Sequence, residues 1–591
     1  MNKTFLPISK EDMLARGWNE LDVIIVTGDA YVDHASYGAS VIGRVLEAEG
    51  FKVGIIAQPK WQTAEDFKKL GKPRLFFGVT AGNLDSMVAN YTANKAVRRN
   101  DDYSPGGKAG LRPDRAVIVY TNRIREAFGC VPIVLGGIEA SLRRLAHYDY
   151  WSDKVRRSVL LDSKADILVY GMGENQAVEI ARRLAAGEDI RSIDNIRGTA
   201  VIKNNISELK RYVPLPSFED VSQDKEAFIK AFTSIYENAD PVKAVTLAQK
   251  HGERFVVQLP PALPLATEEL DKIYLLDYAR NWHPSYNKEG GVPGFETVRF
   301  SVISHRGCCG GCNFCSLYAH QGRIIQSRSE GSILKEVARI AEDKDFHGTI
   351  TDIGGPTANL YKAQCVLWDK HGACNNKHCL TPEKCKDLKL GYGDSIQLWR
   401  KLRAIPKVRH VFIGSGVRYD LLVDPSSDAY LQELCAHHIS GQLKVAPEHI
   451  ALPVLKLMNK PSAKKYEEFV KRFDAVNKRL RKKQFLVNYF LSSHPGCGLG
   501  EALQLALYLA EHGIHPEQIQ DFKPLPMTAS GAMYYTGKDP FTGKSVYVTK
   551  GLRERKTQRA LIQYRQPQNK KLVLEALKNL NKYNLKKKFF A

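Results

Sequence analysis

Cys308, Cys312 and Cys315 stand as C-x3-C-x2-C inside the stretch S-V-I-S-H-R-G-C-C-G-G-C-N-F-C. Three thiolates at that spacing can hold three irons of a [4Fe-4S] cube and leave the fourth iron open to a substrate or cofactor. Gly307, Gly310 and Gly311 let the backbone fold tightly around such an object. Two alternatives stand beside this reading. Buried structural thiols are common, and a zinc site would normally close with four protein ligands. Cys309 fits none of these spacings and reads as an ordinary small residue.

A second group, Cys365, Cys374, Cys379 and Cys385, follows with spacings x8, x4 and x5 in a short polar loop. Four thiolates are enough to close a zinc site or an auxiliary iron-sulfur cluster. The spacings match no common finger, and surface-loop thiols are the alternative. These seven, with Cys309 among them, make eight of the eleven cysteines between Cys308 and Cys385, a clustering typical of metal sites.

The triplet with Phe314 just before its last cysteine is similar to the signature of radical S-adenosylmethionine (SAM) enzymes. The wider run S-H-R-G-C-x-G-G-C-x-F-C and the following H-Q-G-R-I-I-Q-S-R-S resemble the YgiQ-type branch of that superfamily. The resemblance implies that the free iron chelates SAM, and that one electron cleaves it to a 5'-deoxyadenosyl radical. It also implies that Phe314 packs near the adenine, and that a glycine-rich turn, here Gly354-Gly355-Pro356, meets the SAM amino group. Pro356 has no N–H, so only acceptor roles survive there. Ser415 and Arg418, in G-S-G-V-R after a strand, are the implied contacts to ribose and carboxylate. An arginine fork suits a carboxylate, and a structural ion pair is the equal alternative for Arg418. No residue is singled out as an acid, base or nucleophile.

These groups need a scaffold. At 591 residues, 43 % of them hydrophobic, the chain is long enough for several packed domains. Residues 1–200 alternate strand and helix: apolar runs at 22–28, 52–57, 74–79, 131–137 and 167–171, with helical spacing over 37–49. Five parallel strands imply a doubly wound sheet whose crevice lies at the strands' carboxyl ends. A long glycine- and proline-bearing insertion, 83–115, interrupts it. The segment resembles the cobalamin-binding domain ahead of many radical SAM barrels. Its order Asp33-His34-A-S-Y-Gly38 departs from the D-x-H-x-x-G lower-ligand motif, so His34 reads as a capping or packing residue and cobalamin is not assigned.

Residues 201–294 read as a helical linker, and 295–530 as a radical SAM partial α/β barrel carrying the Cys-rich insertion 365–385. Expected strands lie at 297–304, 348–353, 408–413 and 485–493, with a helix over 332–342. Lys444, Glu448 and His449 sit where a strand end could carry them to the barrel mouth, though satisfied structural polar groups are the commoner outcome for each. The extension 531–591 carries an amphipathic helix around Leu572 to Leu580, and Lys586 to Ala591 are expected to fray.

Net charge is +22, and from Gly551 onward twelve Lys and Arg face only Glu554 and Glu575. Such a tail suits RNA or another polyanion, and a solvated basic face is the plainer reading. The N-terminus lacks a leader pattern and no apolar run has membrane-spanning length, so a cytoplasmic protein without a membrane partner is expected. The expected function is reductive SAM cleavage acting on an unidentified substrate, with flavodoxin or ferredoxin as reductant. The rivals are a methylthiotransferase-like enzyme acting on RNA, a non-catalytic metal-stabilised nucleic-acid-binding protein, and an electron carrier.

Overall fold

The computed structural model describes residues 5–374, 377–517 and 519–590. The chain divides into two compact units, 1–301 with 319–322 and 328–336, and 302–318 with 323–327 and 337–591.

The first unit is built on nine strands: β1 (Val23–Thr27), β2 (Val53–Ala57), β3 (Phe76–Thr80), β4 (Ile133–Leu135), β5 (Ile167–Val169), β6 (Thr199–Lys203), β7 (Tyr212–Leu215), β8 (Thr246–His251) and β9 (Arg254–Gln258). Their spatial order is β7-β8-β9-β6-β5-β4-β3-β1-β2. The half β5-β4-β3-β1-β2 is wholly parallel, as the alternating pattern predicts. Strands β1, β4 and β5 are buried along their whole length, as strands covered by helices on both faces must be. The helix expected over 37–49 forms as α1 (Gly38–Ala48).

One expectation fails here. Residues 201–294 are not a helical linker, because β6 to β9 extend the same sheet, with β5, β6, β9 and β8 paired antiparallel in turn. Their polar composition hid them: β8 reads Thr-Leu-Ala-Gln-Lys-His although Gln249 and His251 are buried, and β7 has a single buried residue.

The second unit holds β10 (Ser301–Ile303), β11 (Thr349–Ile350), β12 (Asp352–Gly354), β13 (His410–Val411), β14 (Gln442–Glu448), β15 (Phe485–Ser492) and β16 (Ile519–Asp521). Strand β10 pairs with β12, β11 runs parallel to β13, and β14, β15 and β16 are parallel in that order. Helices Glu330–Ala341, Tyr392–Arg403, Asp428–His437, Ala463–Leu480 and Leu499–Glu511 alternate with the strands. Backbone bonds from Ile413 to His438 and from Val417 to Lys444 carry the run across the β13–β14 step. The product is a partial α/β barrel, and the protein as a whole is a mixed α/β chain: a doubly wound sheet, then the barrel.

Beyond β16, helices Ala529–Thr536, Leu552–Ile562 and Lys570–Asn579 follow. Ile562 packs with Phe490, Leu505 and Leu509 on the barrel core. Lys586 to Phe590 do not fray: Lys586–Phe589 is a short helix whose Phe589 is buried against Tyr564 at 5.1 Å between rings, so an aromatic anchor outweighs three lysines. Ala591 lies outside the described residues. No described helix is long and apolar enough to cross a membrane.

Candidate cluster-binding site

The cysteine loop leaves β10 through Ser304, whose N–H and hydroxyl both donate to the carbonyl of Gly354 at 2.7 and 2.9 Å. His305-Arg306 then pairs antiparallel with Gln326-Ser327, closing the neck of a loop that runs from 307 to 325. Gly307 sits at φ +83°, and a Cβ there would lie 2.2 Å from the carbonyl oxygen of Ile324, so no other residue fits the neck.

The loop is pinned from below. Asn313 donates its amide N–H and side-chain NH2 to the carbonyls of Met458 and Leu457, and Asn459 donates to Gly311 at 2.7 Å. Ser530 N–H and the Tyr318 hydroxyl add bonds to Asn313 and Met527. These are rigid backbone attachments of the kind that pre-organise a ligand set.

Cys308, Cys312 and Cys315 share one environment. Burial pushes the Cys308 thiol up, and the Cys312 charge adds to it, while Arg418 and Lys460 pull it back down. Burial pushes Cys315 up to about 12, with the charges of Cys312, Cys308 and Glu448 behind it. Without metal Cys308 and Cys315 hold their protons, and metal binding must displace them. Arg418 Nη1 approaches the Cys312 sulfur at 3.7 Å. Three half-buried thiols, one of them facing the Arg418 guanidinium, are a donor set suited to a cluster with one iron left to a non-protein ligand. Cys309 does not join them: it hydrogen-bonds Cys379 instead.

Among the described residues no three His, Cys, Asp or Glu side chains gather closely enough to hold a single metal ion. A cube spreads its protein ligands over separate corners, so that finding bears on ions rather than on clusters. It does mean that Cys365, Cys374, Cys379 and Cys385 are not drawn around one ion. Cys365, Cys379 and Cys385 pack on the apolar cluster of Leu360, Trp368, Leu380 and Leu388. Cys385 lies 3.6 Å from both Lys377 Nζ and Asp387 Oδ2. Asn375 and Asn376, between Cys374 and Cys379, lie outside the described residues.

The implied SAM contacts fall at strand ends of the same unit. A Cβ on Gly354 would meet Ser415 Oγ at 2.2 Å, and one on Gly355 would meet the His305 ring at 2.5 Å. Both glycines are therefore steric requirements, and Pro356 follows them on the bend after β12. Ser415 is held by Asp352, which accepts from the N–H groups of Gly414 and Ser415 at 2.8 and 3.0 Å and from the Ser415 hydroxyl. Arg418 spends its fork on Asp420, with Nε and Nη2 at 3.1 and 2.8 Å, so only Nη1 is left to face the thiols. Phe314 meets His494 edge-on at 6.0 Å.

His305, Asp352, Asp420 and His494 were not singled out in the sequence. Polar residues next to strand-end glycines are their only linear signal, which is weak because their partners lie far along the chain. His494 is held neutral, pushed down to about 3 by burial, with Nδ1–H donating to Pro495 and Nε2 accepting from Ser530 Oγ. Of the strand-end trio, Lys444 is exposed. Glu448 turns inward at φ +65° with its carboxyl pushed up by burial, and its charge reaches Cys315. His449 Nε2 lies 3.5 Å from the Cys497 sulfur, both buried.

In the first unit His34 is buried with Nδ1 accepting the Ser36 N–H at 3.1 Å and its ring edge-on to Phe295, the capping and packing role expected of it. Its neighbour Asp33 is bound to Arg44 and to the Ala279 N–H.

Residues 5–301 match the family described as Radical SAM N-terminal, and residues 517–586 match a domain of unknown function, DUF3362. The chain is similar to a UPF0313 protein of Clostridium botulinum (strain Kyoto / Type A2), 55 % identical over 98 % of this chain and 89 % of that one. It is 51 % identical to a UPF0313 protein of Methanosarcina mazei, over 98 % of this chain and 97 % of that one. Among solved structures it aligns with the radical SAM methyltransferase TsrM of Kitasatospora setae with tryptophan and a SAM analogue bound, at TM-score 0.48 and 15 % identity, covering 85 % of this chain and 74 % of that one. The cobalamin-dependent SAM radical enzyme OxsB with aqua-cobalamin bound aligns at TM-score 0.47 and 10 % identity, covering 84 % and 53 %.

Proposed function

The chain belongs to the radical SAM family, among the UPF0313 proteins, and from that premise we propose that it is an enzyme that cleaves SAM reductively. When bound, a [4Fe-4S] cluster supplies the single electron that splits SAM into methionine and a 5'-deoxyadenosyl radical, which then takes a hydrogen atom from the substrate. The observation that carries the reading is the convergence of Cys308, Cys312 and Cys315 in one half-buried loop beside Arg418, with Cys309 turned away to Cys379.

The chain's own groups have defined parts. Cys308, Cys312 and Cys315 would hold three irons of the cluster. Arg418, fixed by Asp420, offsets thiolate charge at Cys312, which favours the reduced state of anything bound there. Gly354 and Gly355 let Ser415 and the His305 ring pack against the end of β12, and Asp352 holds the Ser415 turn that would face the ribose of SAM. Burial around Cys315, Glu448 and His494 excludes water, which a carbon radical requires of its surroundings. The electron comes from an external one-electron carrier such as flavodoxin or ferredoxin.

The test is anaerobic reconstitution with iron and sulfide, reduction with SAM present, and an assay for 5'-deoxyadenosine. Product above the level of a Cys312→Ala variant supports the reading. No product across several reductants, with SAM shown to be bound, rejects it.

A further inference from the structure

The parallel half of the N-terminal sheet, β5-β4-β3-β1-β2, changes its direction of progression between β1 and β3. The loops leaving those two strands diverge, and a doubly wound sheet normally opens its ligand crevice there, at the carboxyl ends. In this chain the crevice is stitched shut from within.

Arg112, from the long insertion, has no exposed side-chain surface. Its Nε donates to the carbonyl of Gly28, the residue just after β1, at 3.0 Å, and its Nη2 donates to Asp29 Oδ1 at 2.7 Å. Asp101, from the same insertion, lies 3.3 Å from Nη2. On the β3 side, Asn83 N–H donates to the other Asp29 oxygen at 2.7 Å. A Cβ on Gly82 would sit 2.0 Å from Asp29 Oδ1, so loop and carboxylate are in contact with no space between them.

The other half of the crevice, beyond β4 and β5, is taken by the segment Ala319–Gly322, which belongs to this first unit. Ser141, in the helix Gly137–Leu142 after β4, donates its hydroxyl proton to the Gly137 carbonyl at 2.8 Å and accepts the Gly171 N–H at 3.0 Å. His320 Nδ1 lies 3.1 Å from that same oxygen, whose proton is already committed, so the imidazole is the donor. The His320 carbonyl lies 3.3 Å from the Cβ position of Gly171, which leaves room for nothing larger than glycine after β5.

His34 does not stand ready as a lower ligand to a corrinoid. Its Nδ1 faces a backbone N–H, which can only donate, so the ring must be the neutral tautomer with its proton on Nε2. A cobalt ligand would need the reverse, a bare Nε2 with the proton on Nδ1 held by a carboxylate or carbonyl. The carboxylate that could hold it, Asp33, is spent on Arg44.

We propose that the carboxyl-end crevice of this sheet is the internal seat of the chain's own segment Ala319–Gly322, closed in its other half by Arg112, and that the protein binds no corrinoid. His320 is the positioning residue of the seat. The segment begins four residues after Cys315, so a sheet of cofactor-binding type serves here to hold the outgoing arm of the cysteine loop. The proposal does not depend on SAM cleavage and fails separately from it.

Two measurements on the full, iron-reconstituted chain test it. Hydroxocobalamin is mixed in excess with wild type and with His34→Ala, each is passed over a desalting column, and the visible spectrum is read. Neither should carry corrinoid absorbance with the protein, and retention near one equivalent by wild type overturns the proposal whatever the variant does. In the second, amide hydrogen exchange is followed over residues 317–323. His320→Ala and Ser141→Ala should each speed exchange several-fold, the double variant should be no faster than either, and His320→Asn, which keeps an N–H donor, should restore protection. Additive effects, or no effect from Ser141→Ala, overturn the seat, because the two residues would then not act through one bond.

Discussion

The second unit contains two cysteine groups of similar size, and they are built differently. Cys308, Cys312 and Cys315 lie on a loop whose backbone is tied at Gly307, Gly311 and Asn313, and a guanidinium faces their sulfurs. Cys365, Cys379 and Cys385 lie, as Cys308 also does, against aliphatic and indole surface, but their polar needs are met by one another's neighbours: Cys309 for Cys379, Lys377 and Asp387 for Cys385. A ligand set needs more than thiols close in sequence. It needs a backbone that cannot relax away from the metal and a cation that offsets thiolate charge.

The sharpest way to break this comparison is to exchange the losses. Cys312→Ala should abolish the cluster's visible absorbance and reduce 5'-deoxyadenosine to background, whereas Cys365→Ala should retain iron and sulfide at the wild-type level. Equal loss from both would place an essential metal in the second group as well. Next in size, Arg418→Gln leaves Asp420 buried without its partner, which costs about 3–5 kcal/mol of stability for a broken buried pair, and removes the cation at Cys312. Denaturant unfolding measures the first effect, and a lowered reduction potential of the reconstituted protein the second.

Gly307→Ala forces a side chain into a left-handed position against the Ile324 carbonyl, at a cost of about 1–3 kcal/mol, with iron uptake lost before the fold is. Chemical denaturation and iron analysis on the same samples separate the two. A finer test uses thiol reactivity in the iron-free chain. The Cys309 bond pulls the Cys379 thiol below its ordinary value, helped by Arg323, while burial raises Cys315 to about 12. A lowered thiol pKa means more thiolate at a given pH, so near neutrality iodoacetamide should label Cys379 first, and Cys315 should catch up only as pH rises. Peptide mass spectrometry across a pH series reads the order. The smallest expected change is Lys377→Ala: its contact with Cys385 is exposed, so stability and cluster content should both stay at wild-type values.

Local pattern accounts for much of what the sequence disclosed. The strands at 23–27, 53–57, 76–80, 133–135 and 167–169 and the helix 38–48 follow from apolar period and length, because elements buried on both faces need apolar residues throughout. The strands at 199–203, 212–215, 246–251 and 254–258 place polar residues such as Thr199, Gln249, His251 and Gln258 at buried positions, so apolar period did not mark them as sheet. In the same way Phe589 anchors a tail whose lysines alone predict fraying.

What the sequence by itself offered is a candidate donor set and its class: Cys308, Cys312 and Cys315 within eight residues, with glycines at the turns their backbone must make and an aromatic before the last sulfur. Spacing along one short loop is a local property, and local properties survive in linear text. Only the tertiary structure decided which charge stands beside those thiols, where the fork of Arg418 is spent, that Cys309 turns to Cys379, and that the crevice of the first sheet is filled by Arg112 and His320. Apart from the Arg418–Asp420 pair, those facts join residues tens to hundreds of positions apart, and burial sets their strength. A desolvated ion pair or a shared hydroxyl exists only once the fold has excluded water from both partners.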